Sequence, residues 1–229
     1  TRVSLNVARS ADEAARQARK QIRRLNLDLV LEKLGRAVMF ASDGQPVEPS
    51  GGLYKRPVFV LRESFKPVLP VDLDMLAAAT EQLQEAKDRE AAVSLAEITI
   101  ADPAAQADVH TDLLGRLDAL AAVGLPTLVT DMGELFRVAR FLRRYATPRV
   151  VFVAGTQSFA ALFDEKPFEN LQGGVFEALG RLFTRGVTLA LYPAGLAVHL
   201  RRGLHELLRQ RRVQGVAGEQ RGGRRDHVH

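Results

Sequence analysis

Five short runs dominate the chain between residues 57 and 192, and each is almost entirely apolar: 57–62, 94–100, 126–130, 149–154 and 187–192. Val150-Val151-Phe152-Val153 is representative. A strand with one face in water alternates apolar and polar residues, whereas continuous apolarity is expected when helices cover both faces of a sheet. Between the runs lie segments with helical spacing, at about 73–90, 108–123, 132–144, 157–163 and 174–184. Strand–helix alternation of this kind predicts an α/β domain with a mostly parallel, doubly wound, Rossmann-like sheet.

Ahead of this pattern, Ser10-Ala11-Asp12-Glu13 reads as a capping box, so an amphipathic helix is expected over about 11–34. Ala14, Ala18, Ile22, Leu25 and Leu29 would form its buried stripe and Gly35 its terminator. Arg16, Arg19, Lys20, Arg23 and Arg24 would form its solvated face. Ala37–Ala41 reads as a strand followed by a turn at Ser42-Asp43-Gly44. The division expected is therefore an N-terminal helix and hairpin appendage (1–50), an α/β domain (51–195) and a basic tail (196–229).

The charge balance separates the tail from the body. The 229 residues carry 32 basic and 27 acidic side chains, a net +5. Residues 201–229 hold eight arginines against three acids, which leaves 24 of each sign in residues 1–200. A body without net charge argues against a nucleic-acid-binding domain, so a nucleic-acid contact through the tail is the weakest partner reading. Residues 213–229 have almost no large apolar side chain and are expected to be disordered.

No cysteine is present, which excludes disulfides, thiol nucleophiles and cysteine-ligated zinc, and fits a cytoplasmic protein. No uncharged run is long enough to cross a bilayer, so no membrane partner is expected. The chain opens on Thr1 without an apolar signal core, as a processed or excised chain would. Four of the five histidines lie in or beside the tail, and His110 is the exception. No metal-ligand spacing or nucleophile motif occurs, so no metal site is expected and no catalytic residue is selected.

In doubly wound sheets, ligands sit beyond the carboxyl ends of the strands, against helix N-termini. Three such corners are legible. Asp131, with Glu134, serves as a helix cap or as a ligand contact. Gly155-Thr156-Gln157-Ser158 can hold a phosphate or carboxylate through backbone amides, or form a plain turn and cap. Gly173-Gly174 permits close backbone approach, to a ligand or within a sharp turn. Arg137, Arg140, Arg143 and Arg144, with Arg149, form the densest basic cluster of the body, read as a solvated face or as a contact for a phosphate or an acidic partner.

A fourth corner follows the first strand of the pattern. The stretch from Glu63 to Asp74 resembles the first motif of adenylyltransferases that join ATP to a nucleotide monophosphate or phosphopantetheine. That motif reads G-[TS]-F-x-P-x-[HT]-x-G-H, often followed by L-D. Ser64, Phe65, Pro67, Val68, Leu73 and Asp74 match, whereas Glu63, Leu69, Val71 and Asp72 replace the two glycines and the two phosphate-facing positions. Leu69 has no donor for a phosphate, and an ionised Asp72 repels one. The motif's second signature, I-S-S-[TS]-x-x-R, does not occur downstream.

A broader resemblance covers roughly residues 20–193. Leu142–Tyr145, Phe163–Lys166 and Gly173–Phe183 are similar to an uncharacterised bacterial family commonly labelled nicotinate- or nicotinamide-nucleotide adenylyltransferase, and elsewhere TonB-dependent receptor. The α/β pattern is not that of a receptor barrel. The resemblance implies a nucleotide or other phosphorylated small molecule as ligand, with ATP and Mg²⁺ as the cofactors of any turnover. Arg62 and Lys66 would then face phosphates, and Ser64 and the Thr156 region would supply neutral donors. The expectation is a nucleotide-binding protein related to those enzymes. A non-catalytic α/β binding or scaffold module is the alternative.

Overall fold

The computed structural model describes residues 2–83, 86–100, 108–146 and 149–192. Seven strands form one sheet: β1 (Ala37–Phe40), β2 (Pro46–Val47), β3 (Val58–Arg62), β4 (Val93–Thr99), β5 (Thr127–Thr130), β6 (Val150–Gly155) and β7 (Val187–Tyr192). Their spatial order is β2-β1-β5-β4-β3-β6-β7. Strands β5, β4, β3, β6 and β7 are all parallel, and β1 joins β5 antiparallel. The chain is thus an α/β protein with a mostly parallel, Rossmann-like sheet. Its strand order reverses between β3 and β6, where a crevice opens at the carboxyl edge.

The eight helices among the described residues are α1 (Arg2–Leu31), α2 (Pro49–Leu53), α3 (Pro70–Glu81), α4 (Ala86–Ala91), α5 (Val109–Ala122), α6 (Leu135–Leu142), α7 (Thr156–Ala160) and α8 (Gly174–Leu182). Short 3₁₀ turns at Ala161–Phe163 and Lys166–Phe168 lead from α7 toward α8. Helices α6 and α8 pack together. Their buried Val138, Ala139, Leu142 and Leu182 share a core with Val58, Val60, Leu95, Leu128, Val150 and Phe152. Alternation turns Phe59, Leu61, Ile98 and Val129 to the opposite face. All four are buried there, as are Leu113, Leu117 and Leu120 of α5.

Residues 1–50 do not stand apart as an appendage. The β1–β2 hairpin extends the main sheet, with Val38 paired to Val129 and Met39 to Leu128. Thr1–Tyr192 make one compact unit. The tail expected at 196–229 lies outside the described residues.

Helix α1 differs from its expected form in three ways. It begins at Arg2 and runs through Ser10–Glu13, because nothing in residues 2–9 breaks a helix. It ends at Leu31, ahead of Gly35; Lys33 takes the left-handed conformation at φ 57°, and the Gly35 N–H reaches back to the Leu29 carbonyl. Its buried side chains are Leu27, Val30 and Leu31, whereas Ile22, Leu25 and Leu29 are exposed. Arg23, expected in solvent, instead turns inward to Asp118 and the Leu114 carbonyl of α5. The helix carries two apolar ridges, and the body packs on the shorter one.

The long helix expected over 73–90 is two elements, α3 and α4, with Gln82 as the C-cap of the first.

Candidate functional site

The carboxyl ends of β3, β4 and β5 converge on a buried carboxylate. Glu97 is fully buried although it sits on a central strand, and its register partner is Arg62. The Arg62 Nε–H donates to Glu97 Oε2. Thr130 donates its hydroxyl to Glu97 Oε1 at 2.6 Å, and Thr99 does so at 2.9 Å. Two more of the five Arg62 N–H groups donate to the Gly133 carbonyl and, at 2.9 Å, the Met132 carbonyl. Its charge is paired with Glu97, so Arg62 brings no unneutralised cation to a phosphate. It ties the loop after β5 to the sheet and neutralises a carboxylate that burial would otherwise penalise heavily.

The loop that follows β3 is held in a comparable way. Phe65 is buried with φ at +50°, a left-handed conformation that costs an L-residue about 1–2 kcal/mol. The Lys66 ammonium lies 2.6 Å from Asp112. Burial pushes the Asp112 carboxyl up, but hydrogen bonds from Lys66 and Arg116 outweigh it and hold the group below the ordinary aspartate value. Ser64 is exposed, and its carbonyl accepts from Arg116 at 3.2 Å. Asp72 is buried and accepts the Leu69 N–H at 2.8 Å, so it caps α3 instead of facing the crevice. Glu63 accepts the Ser158 hydroxyl at 3.1 Å, a bond that spans the switch point from β3 to α7.

The other corners separate. Asp131 does not cap α6, which starts at Leu135; it accepts from Arg36 at 2.6 Å. Gly155 is the N-cap residue of the five-residue α7, with Thr156 and Gln157 exposed behind it. The Gly173 N–H is taken by Glu177 at 2.9 Å, and a Cβ at residue 173 would meet the Glu177 Cβ at 2.9 Å. Gly174 sits at φ +52°. His110 pairs with Asp28 at 2.5 Å, joining α5 to α1.

Two of the expected residues, Arg62 and Ser158, border one cavity of about 300 Å³. It lies between β6 and the packed pair α6 and α8, with the 3₁₀ turns across its side. Phe152, Leu135, Phe136, Phe168, Leu179 and Leu182 form most of its apolar wall, and Gly133, Glu134, Ser158 and Arg62 its polar rim. Apolar walls with a few convergent polar groups are the usual form of a small-molecule site. The volume is at the small end of such sites, about 300–1,000 Å³, and fits one ring system with a short substituent better than a dinucleotide.

ATP and Mg²⁺ fit this corner poorly. Magnesium is ordinarily held by one or two carboxylates together with substrate phosphates. The carboxylates of the corner, Glu63, Asp72 and Glu97, are each hydrogen-bonded within the protein. Among the described residues no group of three or more acids or histidines is arranged to hold a metal ion. Nor, among them, is any helix long and apolar enough to cross a membrane.

Glu97 was readable in the sequence as an acid inside an apolar strand, Leu95-Ala96-Glu97-Ile98, and so was the need for a basic partner. The cavity wall was not, because it draws on two strands, two helices and both 3₁₀ turns, whose apolar residues look like ordinary core. No protein-family model matches the chain, and neither curated proteins nor solved structures gave a match.

Proposed function

We propose that this chain is a non-catalytic binding module that seats the ring portion of a small molecule of the nucleoside or mononucleotide class in the cavity at the switch point. The observation that carries this reading is the cavity itself: about 300 Å³, apolar in its depth, and bordered at the carboxyl edge by the Ser158 hydroxyl and the Glu134 carboxylate. Both suit the hydroxyls of a sugar as acceptors: Ser158 gives its one proton to Glu63 and keeps a lone pair, and Glu134 keeps lone pairs beyond its contact with Arg137. The absence of turnover is argued from the loop after β3. Its charged residues are occupied by Asp112, Leu69 and Ser158, so none is poised over a reacting phosphate.

Nucleotidyl transfer is the second reading. One observation favours it: the S-F-x-P-V segment follows β3, the first strand of the parallel set, directly at the switch point.

The test has two parts. Adenosine, AMP and nicotinamide mononucleotide are titrated calorimetrically into the wild-type protein and into Ala161→Trp. Ala161 is an exposed residue on the cavity wall, so the indole fills the space without disturbing the core. ATP with nicotinamide mononucleotide and Mg²⁺ is then assayed for pyrophosphate release. The proposal expects heat with at least one of the three compounds, loss of that heat in Ala161→Trp, and no pyrophosphate. Pyrophosphate release above that of a heat-denatured control would establish the second reading.

A further inference from the structure

Behind the cavity, and sharing only Phe136 with its wall, lies an open groove lined by six arginines: Arg36, Arg137, Arg140, Arg143, Arg144 and Arg181. Three of them have carboxylate partners, Arg36 with Asp131, Arg137 with Glu134 and Arg181 with Glu177. Arg143 donates to the Thr184 hydroxyl at 2.7 Å, which fixes its direction without neutralising it. Arg140 and Arg144 have no ion-pair partner among the described residues. Six cations against three anions leave a surplus of three positive charges, in a body whose residues 1–200 are neutral as a whole.

A surplus of this kind on one helix face is ordinarily dispersed by solvent and interleaved acids. Here it is concentrated, because α6 and α8 pack together and bring Arg181 and Thr184 against the α6 arginines. Planar guanidinium groups bind phosphate oxygens two at a time, and they do so best when their direction is already set. Three features set it: the Thr184 contact, and the Arg137 and Arg181 guanidinium groups stacked over Phe136 at 5.8 and 5.5 Å from the ring centroid.

We infer that this groove binds a compact anion bearing several phosphates, independently of what occupies the cavity. The aromatic residues decide against single-stranded nucleic acid. Such strands need open aromatic faces on which bases stack. Phe136 already carries two guanidinium groups, and Phe141 packs edge-on to Tyr145 at 5.4 Å. What the groove offers is charge and hydrogen-bond donors, which suits phosphates without bases.

Inorganic tripolyphosphate is the probe, titrated into the full chain by calorimetry across a series of salt concentrations. Arg140→Gln/Arg144→Gln, two exposed side chains whose loss leaves the core intact, is expected to weaken binding about tenfold or more, the equivalent of one charge-assisted hydrogen bond. The salt dependence is expected to flatten with it. Arg16→Gln/Arg19→Gln on the exposed part of α1 removes the same charge and should change neither. Equal weakening by the two pairs overturns the assignment, as does orthophosphate binding as tightly as tripolyphosphate. An oligothymidylate that displaces tripolyphosphate at lower concentration overturns the choice of a compact ligand. The Ala161→Trp variant should bind tripolyphosphate normally, so failure of the cavity reading and failure of this one are separable.

Discussion

Replacing Glu97 by Gln tests whether Arg62 belongs to the scaffold or to a ligand. The substitution keeps the volume and one acceptor but removes the charge and places an amide NH₂ among donors. In the native protein the carboxylate is fully buried and serves Arg62, Thr99 and Thr130 together. Breaking a buried pair by removing one partner costs about 3–5 kcal/mol. The Arg62 side chain is 23% exposed, so water relieves part of that loss. A destabilisation of about 2–4 kcal/mol is expected after that allowance. In urea this lowers the unfolding midpoint by about 1 M, for a denaturant slope of about 2–3 kcal/mol/M. Arg62→Met, alone and with Glu97→Gln, completes a double-mutant cycle whose coupling should be about 2 kcal/mol. A coupling below about 0.5 kcal/mol, within the error of such cycles, would mean that the two residues act separately. Arg62 could then be reassigned to a bound phosphate.

Two further outcomes follow from the same structure. Asp112 is held ionised by Lys66 and Arg116, with its folded value below the ordinary 3.8, so its contribution to stability is present above that pH and disappears as pH falls through the folded value. The stability advantage of the native protein over Asp112→Asn in urea should therefore be constant near neutrality and shrink below pH 3.8; an advantage that persists unchanged in acid would contradict the assignment. Gly174→Ala forces a Cβ into φ +52° and should lower stability by about 1 kcal/mol, read from the urea midpoint, whereas an unchanged midpoint would show that the loop relaxes freely.

The parallel sheet was legible because its strands announce burial on both faces, and five apolar runs between residues 57 and 192 have few other ways to satisfy their backbones. The strand order was not legible, since apolar runs carry no information about which neighbour they meet. Glu97 shows the boundary between the two. Its presence in a buried strand signals a partner, but only the register of β3 against β4 says that the partner is Arg62. Asp131 and Ser158 make the same point over greater distances: each looks like a local cap, and each bonds to a residue 95 positions away. Local patterns left a phosphate corner open beside plain turns and caps, and the folded chain uses most of those polar groups on itself. In α1, periodicity found an apolar stripe correctly and assigned it to the wrong surface, because helical spacing does not distinguish a ridge that packs on the body from one that stays exposed.

The central claim is that the cavity between β6, α6 and α8 is a ligand site. It is tested most directly by titrating AMP and nicotinamide mononucleotide into the native chain and into Ala161→Trp under identical conditions. The account predicts saturable heat for at least one of them in the native protein, and none for the variant at the same concentrations. Equal heat in both proteins, or none in either, would contradict it.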